Sequence, residues 1–75
     1  MFDTLKTKVL KRKLRAVKEG IIELEANITY HKGLLEYERD TLSKDQISQY
    51  EIAIKQSEAQ IKTNKDFIRY IEPLL

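Results

Sequence analysis

The apolar positions of this chain fall into two heptad series that mirror each other. The first is Leu10, Leu14, Val17, Ile21, Leu24, Ile28, His31 and Leu35, stepping by four and three in turn. The second is Tyr50, Ile54, Ser57, Ile61, Asn64, Ile68, Ile71 and Leu75, with matching steps in reverse. Alternating steps of three and four keep one face of a helix against a partner, so the pattern predicts two helices packed along a coiled-coil seam. Laid antiparallel, every pair of position numbers sums to 85: Leu35 meets Tyr50, Leu24 meets Ile61 and Leu14 meets Ile71. Two heptad series can always be aligned at some register modulo seven, so the turn has to decide. A sum of 85 centres the bend between Leu42 and Ser43, whereas 78 or 92 would move it to Arg39 or Gln46. Ser43 and Gln46 have the spacing of a capping box, and Leu42 and Ile47 that of a hydrophobic staple. A helix start is therefore written at Ser43 independently of the heptads.

The expected fold is all-α: a single domain, 1–75, forming an antiparallel helical hairpin (a two-helix coiled coil). Helix one should run over about 4–40, the turn over about 41–43 and helix two over about 44–72. Asp3 reads as the N-cap of helix one. Gly20 and Gly33 lie inside that helix and cost roughly 1 kcal/mol each relative to Ala. Pro73 disfavours helical geometry at Glu72, which makes Leu10–Leu75 the least secure layer of the seam. Charges on helix two fall in the favourable i,i+4 order, Glu51 before Lys55 and Glu58 before Lys62. The same register sets Glu23 opposite Lys62 and Lys13 opposite Glu72. A two-helix seam covers its side chains from one side only. Completion as a helical bundle, by oligomerisation or by a partner, is the expected remedy.

Composition narrows the class further. With no cysteine there is no disulfide framework and no thiolate metal site. Two glycines, one proline and 35% charged residues suit long solvated helices. No apolar run approaches the about 20 residues needed to span a bilayer. Charges at Asp3 and Lys6 leave no apolar core for a secretory signal. These features suit a cytoplasmic or, if viral, virion-associated accessory protein of the kind found in phages and plasmids.

Residues with chemical potential are few. His31 sits at a seam position without Cys, a second His or carboxylates at helical spacing, so it reads as a packed, hydrogen-bonded histidine and not as a metal ligand. Asn64 and Ser57 are polar residues at apolar positions; a buried Asn can fix register at some cost in stability, and a hydrated layer is the other reading. No nucleophile–base–orienter set, Gly-rich phosphate loop or carboxylate pair is present. The chain is expected to be no enzyme, to bind no cofactor, no metal and no small-molecule substrate.

The outward face of helix one carries more information. At about 100° per residue, Lys8, Lys11, Arg12, Arg15 and Lys18 fall within one arc opposite Leu10, Leu14 and Val17. Residues 1–18 hold seven basic side chains and one acid, a net of +6; residues 19–75 hold seven basic and eleven acidic, a net of −4. A basic amphipathic helix of this kind can track phosphates, grip an acidic protein or lie on anionic lipid. Further along the same arc, Ile22, Ala26, Tyr30, Gly33, Leu34 and Tyr37 form an apolar stripe away from the seam. A helix apolar on two faces is expected to meet another protein surface. Gly33 between two tyrosines would let a second backbone come close. Helix two carries a shorter counterpart in Phe67, Tyr70 and Leu74.

In architecture alone the predicted hairpin resembles the small plasmid-encoded RNA-binding hairpins that dimerise into four-helix bundles, with no motif that carries residues across. The sequence favours a non-enzymatic structural or adaptor protein that associates with itself or a larger protein. The alternatives are a small nucleic-acid-binding bundle using the basic face and, after it, a basic amphipathic helix on an anionic membrane.

Overall fold

A computed structural model describes residues 4–75. Helix α1 (Leu5–Tyr37) runs without interruption for 33 residues, and helix α2 (Lys44–Ile71) returns beside it for 28. The expected N-cap, Asp3, lies outside the described residues. Thr4 caps α1 instead: its backbone is extended and its hydroxyl accepts the Thr7 N–H at 3.1 Å. Both glycines stay right-handed within α1, and a Cβ added at either would meet nothing within 4 Å.

Helix α1 stops at Tyr37, short of Asp40. The segment after it offers no glycine to take the left-handed conformation that closes many helices. The chain tightens instead into a single 3₁₀ turn, Arg39–Thr41. That turn disposes of the last carbonyls of α1. Glu38 N–H donates to Leu34 O at 2.9 Å, Arg39 Nε–H to Leu35 O at 3.3 Å, and the Thr41 hydroxyl to Glu38 O at 2.8 Å. Two extended residues, Leu42 and Ser43, then reverse the direction. The capping box is complete: Gln46 N–H donates to Ser43 Oγ at 3.1 Å, and Ser43 N–H to Gln46 Oε1 at 2.9 Å. Leu42 and Ile47, at the staple positions, are both half-buried.

Glu72 departs from the expectation set by Pro73. It keeps right-handed helical geometry (φ −54°, ψ −43°) and opens a second 3₁₀ turn, Glu72–Leu74. Pro73 enters that turn at its first positions, where the missing N–H leaves no bond unmade.

The predicted seam is the interior of the molecule. All eight first-series positions are buried or half-buried, as are seven of the eight in the second. Leu14, Ile21, Ile54 and Ile71 are the buried hydrophobic residues; Leu75, in the last layer, is 41% exposed. Contacts at two levels fix the register. The rings of His31 and Tyr50 pack at 5.3 Å, and Lys18 Nζ lies 3.9 Å from Glu72 Oε2. These pairs sum to 81 and 90, within about 8 Å of axial offset from a register of 85 at 1.5 Å rise per residue. A register of 78 or 92 would offset one of them by roughly 17 Å, beyond the reach of the side chains.

Glu72 therefore pairs with Lys18 and not with Lys13. Both side chains are 52% exposed, so the pair adds little stability. Among the described residues the i,i+4 pairs of α2 do not close; Arg69 and Asp66, three apart, do.

The hairpin is thin. Its Cα extents are 59 × 14 × 14 Å and its radius of gyration is 17.2 Å, against about 11 Å for a compact chain of this length. It exposes 6262 Å², where a globular monomer of 8.9 kDa exposes roughly 4,800 Å². Among the described residues no side chain is fully buried.

Since the chain has no native cysteine, the register can be read by crosslinking. Cysteines at Leu24 and Ile61, or at Val17 and Ile68, should form intramolecular disulfides under mild oxidation, seen as a mobility shift that reduction reverses. Crosslinking within the chain only at pairs summing to 78 or 92 would show this register to be wrong.

Candidate interaction surface

Two polar residues of the seam, His31 and Asn64, are bonded within their own helices. His31 Nδ1–H donates to Asn27 O at 2.8 Å, one turn back, and its ring is held edge-on by Tyr30 at 5.5 Å and tilted against Tyr50 across the seam. A carbonyl can only accept, so Nδ1 carries the hydrogen in this bond. Asn64 accepts from Gln60 Nε2 at 2.9 Å along its own helix and is half-buried. That bond runs along α2 and not across the seam. Among the described residues, no three His, Cys, Asp or Glu side chains cluster as a metal site would need. No described helix is long and apolar enough to cross a membrane. An open concavity of about 520 Å³ beside the turn is lined by Lys32, Leu35, Glu36, Tyr37, Arg39 and Asp40.

The surface outside the seam separates into an outer edge and two flanks. The outer edge of α1 holds the apolar stripe much as the heptads imply. Ile22, Tyr30 and Tyr37 stand exposed, Tyr37 at 84%, and Ala26 is exposed too; Gly33 and Leu34 are half-buried. On α2, Tyr70 is 69% exposed, Leu74 61% and Phe67 40%. The five basic residues Lys8, Lys11, Arg12, Arg15 and Lys18 are all exposed along the N-terminal half of α1, with Lys18 drawn towards Glu72. The basic patch thus lies at the N-terminal levels of α1 and the apolar stripe at the levels nearer the turn.

The flanks carry an arrangement that neither the stripe nor the patch reveals. In a helix the residue before a seam position lies about 100° to one side of it and the residue after it about 100° to the other. Antiparallel pairing puts the preceding residues of both helices on one flank and the following residues on the other. On α2 every following residue is charged: Glu51, Lys55, Glu58, Lys62, Lys65, Arg69 and then Glu72. Every preceding residue is uncharged: Gln49, Ala53, Gln56, Gln60, Thr63, Phe67, Tyr70 and Leu74. Helix α1 follows the same division with exceptions. Lys13 and Glu23 are charged on the neutral flank, and Ile22 and Thr29 are uncharged on the other.

Two features of the structure make the charged flank one surface. The Lys18–Glu72 ion pair joins a following residue of α1 to one of α2. A shallow groove lined by Glu25, Ile28, Thr29 and Lys32 from α1 with Glu58, Ile61 and Lys65 from α2 continues it. The signal is present in the heptads themselves, shifted by one residue.

Comparison with known proteins finds no matching family model, curated protein or solved structure. The likeness to plasmid-encoded hairpins thus rests on the hairpin architecture alone.

Asn64 gives a direct test of the seam chemistry. Replacing it with Leu removes a half-buried amide whose one bond is local, so the denaturation midpoint should rise, by about 1 kcal/mol in stability. A decrease of comparable size would mean that Asn64 makes a bond across the seam.

Proposed function

We propose that this chain is a non-enzymatic structural or adaptor protein that works by associating with another protein surface. The observation that supports this reading most is the exposure of large apolar side chains outside the seam: Ile22, Tyr30 and Tyr37 on the turn half of α1, and Tyr70 and Leu74 towards the termini on α2. A hairpin that needed only to remain soluble would carry polar residues there. Tyrosine also suits an interface, since it covers a large area with few torsions and keeps a polar tip. The thinness of the hairpin points the same way: a surface well above that of a compact monomer leaves apolar area for a partner to cover.

A second reading is favoured by the basic patch. Lys8, Lys11, Arg12, Arg15 and Lys18 are exposed on one helix, and the first 18 residues of the chain carry a net of +6; such a surface suits nucleic-acid phosphates.

Substituting the two halves of the outer edge separately distinguishes these readings. Changing Lys11, Arg12, Arg15 and Lys18 to Gln alters solvated positions, so helicity by circular dichroism should be retained. Changing Tyr30 and Tyr37 to Ala should abolish capture of the partner from native cell extract, with or without nuclease, while the charge variant keeps it. For a nucleic-acid binder the charge variant fails first. Its affinity falls across all sequences, and the slope of log K against log salt shrinks by roughly 0.9 for each duplex phosphate that the variant no longer neutralises. If neither variant changes any binding in extract, the outer edge is not an interaction surface.

A further inference from the structure

We propose that the neutral flank of the hairpin is the contact between two copies of this chain, packed antiparallel about a two-fold axis that lies in the plane of the contact, at right angles to the length of the hairpin. This deepens the association reading above and rests on it. The flank asymmetry is the first ground. Covering the flank of Glu51, Lys55, Glu58 and Lys62 would desolvate a row of charges, whereas on the other flank α2 offers the uncharged Ala53, Gln56, Gln60 and Thr63, and α1 only two charges, Lys13 and Glu23. Large side chains stand towards both ends of the neutral flank, Tyr30 and Leu34 near the turn and Phe67 and Tyr70 near the termini, with Gly20 and Thr63 level with each other between them. A two-fold axis at mid-length lays the Phe67 end of one copy over the Tyr30 end of the other.

Charge sets the direction. Residues 1–18 carry a net of +6 and residues 19–75 a net of −4. Antiparallel copies set the basic end of each over the acidic half of the other; parallel copies stack like on like.

The area is sufficient. A face 59 Å long and 14 Å wide spans roughly 800 Å², close to what each partner contributes to a standard specific interface. The charged flanks are left outermost, which keeps the pair soluble.

The test uses the full chain in light scattering at tens of micromolar, with far-UV circular dichroism on each sample. The wild type should have the mass of two chains. Gln56→Glu with Thr63→Glu charges two exposed positions of the neutral flank without touching the seam, and should give one chain with helicity retained. Glu58→Gln with Lys62→Gln, on the charged flank, should remain two chains. Spin labels on Gln49→Cys, near the turn, should lie roughly 40 Å apart in the antiparallel dimer and adjacent in a parallel one. A monomeric wild type, a neutral-flank variant that keeps the mass of two chains, or adjacent labels would each overturn the proposal. The two readings fail separately. A monomer that captures a partner from extract, and stops doing so with the Tyr30 and Tyr37 substitutions, overturns the dimer alone. A chain both monomeric and partnerless overturns both.

Discussion

The antiparallel seam between α1 and α2 is the contact on which everything else in this molecule depends. Among the described residues there is no second layer and no third α-helix; the buried hydrophobic residues, Leu14, Ile21, Ile54 and Ile71, all lie on the seam. Helices held by propensity alone are marginal in water, and most helical stability in proteins comes from packing an amphipathic face. Here that packing is one row deep and covered from one side. The capping box at Ser43 and the Thr41 hydroxyl on Glu38 matter because they set where the seam begins and at what register. Shifting the turn by one heptad half-step would leave every apolar residue on its face but opposite the wrong neighbour.

From the seam the rest of the surface follows as geometry. Once the heptad faces meet antiparallel, the residues beside them are sorted onto two flanks, and the sorting in this chain is chemical. One flank is a row of charges that includes the Lys18–Glu72 pair, and the other is almost neutral with aromatic residues towards its ends. The outer edge is divided along its length, basic near the N-terminus and apolar from Ile22 to Tyr37. A rod with such surfaces has little interior to carry chemistry and much surface to carry contacts, which is why association is the reading these residues support.

The seam and its turn were legible in the sequence because a heptad and a capping box are local signals with few alternatives. What was not legible depended on details that local pattern leaves open. The end of α1 at Tyr37 came from the side chains of Arg39 and Thr41 serving as carbonyl partners, which no propensity expresses. Glu72 stayed helical because Pro73 entered a new 3₁₀ turn at its tolerated position, and Leu75 was left outside the seam. The choice of Lys18 over Lys13 for Glu72 reflects the side on which each leaves the helix: Lys18 follows a seam residue and Lys13 precedes one. That same distinction separates the two flanks. It is written in the heptads too, at the positions beside the seam and not at those facing each other across it.

The central proposal is that a second protein surface adds to the stability that the seam supplies. The most direct measurement is the thermal midpoint of the purified chain, followed by circular dichroism at 222 nm as its concentration is varied over a hundredfold. A second copy that binds only the folded hairpin stabilises it by mass action, so the midpoint should rise with concentration while helicity well below the midpoint is kept on dilution. A high midpoint that does not change with concentration would show that the hairpin is stable alone, and would contradict this account.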